Sequence, residues 1–128
     1  MLTRLESKIV LPPSLSAFFS EGGYCESNIF EERKASRLRI RCEARMTIEA
    51  SPPSIHREEL DSVVYIKDIS RKGLCILSHF QLLPNEEVFV RFQNREIRAI
   101  VVRSRRLGEH CWECGTQITE FTNLEEQA

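Results

Sequence analysis

Two groups of residues in this chain have the types and spacing to handle an anion or a nucleobase. The first is arginine-rich. From Arg33 to Arg45, six cations (Arg33, Lys34, Arg37, Arg39, Arg41, Arg45) stand against Glu43 alone, and from Arg91 to Arg106 six arginines stand against Glu96 alone. A planar guanidinium grips a phosphate or a guanine Hoogsteen edge in bidentate fashion and stacks on a base, which lysine cannot do. From charge alone, the solvated outer face of a barrel explains these clusters equally well. The second group is Asp68-Ile69-Ser70-Arg71-Lys72-Gly73. Asp and Ser bond nearby backbone N–H groups and Gly73 can take φ > 0, so a strand-joining turn accounts for it on local grounds. The functional alternative is a carboxylate and a hydroxyl held at one turn facing a base. A carboxylate suits the guanine Watson–Crick edge, whose N1–H and exocyclic amine are donors.

Other reactive residues form no such set. His110-Cys111-Trp112-Glu113-Cys114 contains a CxxC, but a zinc site draws four ligands and no second pair exists. Thioredoxin-like redox chemistry needs the motif at a helix start in a βαβ unit. On a strand, positions 111 and 114 point to opposite faces, so packing thiols are expected. His56, His79 and His110 lack a Ser, Cys or Asp partner pattern for a triad. No Gly-rich phosphate loop or paired-carboxylate motif is present. A binding protein is expected rather than an enzyme, with no metal and no cofactor.

Short strands are the elements that would position these residues. Leu38, Ile40, Cys42, Ala44, Met46 and Ile48 alternate with Arg37, Arg39, Arg41, Glu43, Arg45 and Thr47. Period two is a half-buried strand, apolar inward and charged outward. Ser51-Pro52-Pro53-Ser54 breaks the chain into a polar loop reaching Asp61. Then come Val63–Ile66, Leu74–Leu77, Val88–Phe92, Ile97–Val102 and Cys111–Ile118. Turn signals bound them at Lys72-Gly73, Pro84-Asn85, Gln93-Asn94 and Leu107-Gly108. Six short strands without intervening helical patterns predict an all-β antiparallel barrel or sandwich.

The whole is 128 residues with a net charge of −1, enough for one domain and short of a generally basic nucleic-acid binder. No stretch is long and apolar enough for a membrane span, and Pro12-Pro13 interrupts the short patch Ile9–Leu11 that a secretory signal would need to continue. Five cysteines without a framework pattern suit a reducing, cytoplasmic setting. Residues 1–30, with two prolines, five serines and Gly22-Gly23, read as an N-terminal extension with a short helix at either end.

In order and spacing the two groups resemble the PilZ domain family, whose pattern is RxxxR, a strand, and about thirty residues on (D/N)xSxxG. Here Arg33-Lys34-Ala35-Ser36-Arg37 supplies the first motif and Asp68-Ile69-Ser70-Arg71-Lys72-Gly73 the second. Leu38-Arg39-Ile40 opens a strand after one, Leu74-Cys75-Ile76 continues one after the other, and Gly115 before Thr116-Gln117-Ile118 resembles the final strand. Arg37 to Arg41 also fits RxxxR, but Arg39 and Arg41 belong to the alternating strand. The resemblance assigns 1–30 to an extension, 31–121 to the barrel domain and 122–128 to a C-terminal tail.

The resemblance implies a six-stranded antiparallel β-barrel with short flanking helical or irregular segments, binding the bacterial second messenger cyclic di-GMP. Arg33 and Arg37 would grip guanine and phosphate, Asp68 and Ser70 the other guanine edge, and Gly73 would permit the turn. A further arginine before the first motif goes with an intercalated ligand dimer in such proteins; Glu32 stands there instead and points to one ligand per domain. Binding would order the arginine segment against the barrel, and the extension would carry the change to an unidentified downstream protein or mediate a homodimer. The alternatives are a ligand-free PilZ-like interaction module and an oligonucleotide-binding barrel, the latter disfavoured by the net charge.

Overall fold

A computed structural model of the chain describes residues 5–21, 41–57 and 60–124. Six strands, β1 (Cys42–Ala50), β2 (Asp61–Ile69), β3 (Gly73–Ser78), β4 (Glu87–Phe92), β5 (Arg95–Gly108) and β6 (Cys111–Asn123), close into a barrel with neighbour order β1-β2-β3-β6-β5-β4. Every pairing is antiparallel. Closure leaves no unpaired sheet edge. The barrel alternative of the sequence reading therefore holds over the sandwich.

Alternation governs the strands as expected. Ala44, Met46 and Ile48 of β1 point into the barrel, while Glu43 and Arg45 are exposed. Leu38 and Ile40, the expected start of this strand, lie outside the described residues. Val64, Ile66, Ile69, Leu74, Ile76, Leu82, Val88, Val90 and Ile97 complete the interior. Each such side chain contributes about 1.5–3 kcal/mol by leaving water. Gln93 and Asn94, with φ of 46° and 59°, form the two-residue turn between β4 and β5. Two left-handed residues there match the right-handed twist of a hairpin.

β2 departs from alternation because both of its faces are covered. Val63 and Tyr65 point outward and are still buried. They form a second apolar cluster with Leu77, Cys111 and the fully buried Phe18, against which Leu5, Ile9, Leu11, Leu15 and Leu107 pack. The N-terminal extension thus lies on the outer wall of β2, β3 and β6. Its Val10 N–H donates to the His110 carbonyl at 3.2 Å, and Ser7 Oγ bonds the Tyr65 hydroxyl at 2.7 Å. The two ends of the extension, where short helices are expected, lie outside the described residues; helix in the described part is limited to two 3-10 turns, Pro13–Leu15 and Phe18–Glu21. The paired prolines favour a short turn there over a regular helix.

The polar loop after β1 is held by a buried ion pair. Glu86 is fully buried and accepts hydrogen bonds from Arg57 Nε at 2.9 Å, Ser51 Oγ at 2.8 Å and the Leu83 N–H at 2.7 Å. Arg57 also donates to the Gln81 carbonyl and lies over the Phe80 ring. Burial pushes the Glu86 carboxyl up, but these donors outweigh it and hold the group below its ordinary value.

Candidate functional site

A β-bulge decides where the Asp68 carboxylate goes. Ile66 pairs with Ile76, but the next pair is Asp68 with Cys75, so Lys67 and Asp68 together oppose one residue of β3. Without the extra residue, Asp68 would share the inward face of Val64 and Ile66. The bulge shifts the parity: Ile69 turns inward, fully buried, and Asp68 stands on the outer wall. Asp68 therefore sits within β2, one residue before its end, rather than in the connecting turn.

Ser70 and Gly73 build that turn. The Ser70 N–H donates to the Gly73 carbonyl at 2.8 Å, and the Gly73 N–H donates to Ser70 Oγ at 3.2 Å. One lone pair of the hydroxyl is thus used inside the turn. Among the described residues its proton meets only the Gly73 carbonyl, at 3.4 Å, and is the group's available donor. Gly73 does not use the positive φ open to glycine, since no described glycine has one. The turn closes through the serine hydroxyl, so no left-handed residue is required. A β-carbon at position 73 would meet Ser70 Oγ and the Thr116 carbonyl at 3.5 Å, ordinary contacts. What glycine leaves there is bare surface.

The strand register extends this surface. Asp68 pairs with Cys75, Cys75 with Gly115, and Gly115 with Arg103, giving one row across four strands. Leu74 and Ile76 flank Cys75 and point inward, so Cys75 faces out. A small thiol and a glycine form a low floor between a carboxylate and a cation. The neighbouring row is Tyr65, Leu77, Glu113 and Arg105. There the extension covers Tyr65 and Leu77, while Lys67 and Arg105 both bond Glu113. Burial raises the Glu113 carboxyl, and the two cations more than offset this and hold it below its usual range. Sequence spacing had singled out Arg103 only as one member of a cluster.

Arg33 and Arg37 lie outside the described residues. Arg41, where the described chain resumes after them, holds its guanidinium 4.5 Å from the centre of the Phe18 ring, three residues before the described chain leaves off. Cys42 pairs with Ile66, so Arg41 precedes β1 beside the Lys67–Asp68 bulge. A separate groove of about 310 Å³, lined by Leu5, Glu43, Ala44, Arg45, Val63 and Arg91, holds none of the motif residues.

Cys111 and Cys114 point to opposite faces of β6, as a strand requires, the first into the outer cluster and the second into the barrel. Burial raises both thiols, Cys114 to about 12.

The family model of the PilZ domain matches residues 31–128. The chain belongs to the PilZ domain family. PilZ domains are cyclic di-GMP receptors, binding modules built on this barrel. No curated protein matches the chain. Among the described residues of this PilZ domain, no helix is long and apolar enough to cross a membrane.

Proposed function

We propose that this PilZ domain binds one cyclic di-GMP and passes the bound state to a partner protein in the cytoplasm through its N-terminal extension. Arg33 and Arg37 take guanine and phosphate, Asp68 accepts from the N1–H and amine of a guanine, Ser70 donates to the same base, and Gly73 leaves the base room to approach. The observation that supports this most is the bulge that turns Asp68 outward beside the small residues Cys75 and Gly115. Chain arithmetic agrees. Arg37 precedes Arg41 by four residues, about 13 Å of extended chain, enough to reach the Asp68 row from the start of β1.

The switch rests on the same connection. The extension packs one row from Asp68, and Phe18 and Arg41 touch across the segment that carries Arg33 and Arg37. A ligand that draws the arginines toward Asp68 competes with that contact and shifts the extension between docked and released states.

Calorimetric titration with cyclic di-GMP, GTP and a short single-stranded oligonucleotide tests the reading. Saturable binding of the cyclic dinucleotide alone, at one per chain, is expected. Arg37→Ala removes a charge-assisted bidentate contact worth about 1.5–3 kcal/mol, and Asp68→Ala weakens binding and relaxes guanine preference. Both variants binding like the parent would refute the site. Salt-sensitive oligonucleotide binding would favour the nucleic-acid alternative, and no binding of any of the three the ligand-free interaction module. Unchanged hydrogen exchange over residues 1–37 at saturating ligand would refute the switch.

A further inference from the structure

The row that begins at Asp68 ends at a cation with no assigned task. Arg103 is exposed, and among the described residues it makes no ion pair. Its neighbours on β5 differ: Arg98 is bonded to Glu49 and Glu120, and Arg105 to Glu113. Arg103 does not extend into solvent away from the wall. A β-carbon on Gly115 would lie 3.2 Å from Arg103 Nε, 3.3 Å from its Cγ and 3.6 Å from its Cζ. The side chain thus runs back across the glycine toward Cys75 and Asp68. A second bulge aims it there. Val101 pairs with Thr116 and Arg103 with Gly115, so Val102 is the extra residue and Arg103 keeps the outer face.

We infer that Arg103, at the far end of the Asp68 row, is a cation of the ligand site and holds a phosphate of the bound cyclic dinucleotide. The inference rests on the cyclic di-GMP reading above. Adjacent strands are about 4.8 Å apart, so a guanidinium folded over Gly115 stands roughly 10 Å along the row from Asp68. A guanine whose donor edge meets Asp68 lies over the strand that carries Cys75 and brings its sugar-phosphate end to the guanidinium over Gly115. The guanidinium has donors only, so it cannot serve the donor edge of guanine and suits the anionic end. Lys67 and Arg105 neutralise Glu113, so the nearest carboxylate on the adjoining row does not repel that phosphate. The glycine is part of the device, because a larger residue at 115 would meet the Arg103 side chain and lift it off the wall.

Titration of cyclic di-GMP into the full chain and its variants tests this. Arg103→Ala weakens affinity roughly 10- to 100-fold, the loss of one charge-assisted contact. Arg103→Lys keeps the charge without the bidentate fork and loses less affinity than Arg103→Ala, since lysine serves a phosphate as a point charge. Arg91→Ala, which removes an exposed arginine of β4 outside the row, leaves affinity unchanged and controls for net charge. All variants keep the parent's melting temperature, as exposed substitutions do. Parent binding together with Arg103→Ala within twofold overturns the inference and leaves the ligand reading standing. Arg103→Lys as weak as Arg103→Ala also overturns it. No binding by the parent overturns the ligand reading, and the inference with it.

Discussion

Phe18→Ala separates docking of the extension from folding of the barrel. Phe18 is fully buried, yet its neighbours are outward-facing residues: Val63, Tyr65, Leu77 and Cys111. The Tyr65 ring lies 6.0 Å away and the Arg41 guanidinium 4.5 Å away. This cluster shares no residue with the barrel interior. Truncating a buried phenylalanine costs about 3–5 kcal/mol, and the lost cation–π contact adds about 0.5–2 kcal/mol. A barrel-core residue would take that from global stability. Here the extension instead undocks once its own docking energy is exceeded, which caps the global loss.

Hydrogen exchange at Val10, whose N–H is bonded to the His110 carbonyl, reads the docked state directly. A loss of about 3 kcal/mol raises its local opening roughly 100-fold. Amides within β3 and β6 keep most of their protection. The reasoning is refuted if Val10 exchanges as in the parent. It is equally refuted if β3 and β6 lose protection in step with Val10, because extension and barrel would then be one cooperative unit. A released extension also frees Arg41 from Phe18. Cyclic di-GMP should then bind Phe18→Ala at least as tightly as the parent, since the competing contact is gone.

Glu86 makes the barrel acid-sensitive. Its carboxyl is held below the ordinary 4.5 in the folded state, so the stability it contributes is complete above that pH and is lost as pH falls through the lower folded value. Denaturant melts of the parent should lose stability below about pH 4.5, and Glu86→Gln should be weaker at pH 7 with a shallower acid loss. The thiols give an independent check: Cys114, raised to about 12 inside the barrel, should react with a thiol reagent at pH 8 only as fast as the barrel opens.

How far the sequence could be read depends on which faces the strands bury. β1 faces water on one side, and its alternation is plain from Cys42 to Ile48. β2 is covered on both sides, so Val63-Val64-Tyr65-Ile66 reads as an unbroken apolar run. The residues that cover it, Leu5, Ile9, Leu11, Leu15 and Phe18, are separated by polar and proline positions that look like a loop until a wall exists to receive them. The bulge was faintly legible. Inward residues fall at 64, 66 and 69, so a step of two is followed by a step of three, but only pairing with β3 distinguishes a bulge from a strand end. The type of Gly73 allows a left-handed residue, but its turn does not use one. Left-handed backbone occurs instead at Asn85, Gln93 and Asn94. The partnership of Asp68 with Arg103 joins residues 35 positions apart through two intervening strands, a relation of register that local spacing does not encode.

The same pairing gives the near-neutral total charge its meaning. The second arginine cluster looks in sequence like a track for a polyanion. Folded, it is divided. Arg95 is buried and donates to the Gln93 carbonyl. Arg98 is held by two glutamates, Arg105 by Glu113, and Arg106 donates to the Gly108 carbonyl. Of this cluster's β5 members, Arg103 alone makes neither an ion pair nor a hydrogen bond among the described residues. A nucleic-acid strand needs cations repeated along its backbone, each releasing counterions. A small cyclic dianion needs a few, placed at the distances of its own phosphates. Carboxylates and backbone carbonyls hold the other β5 arginines, which would make the first kind of surface, and leave Arg103 on the Asp68 row, where it suits the second.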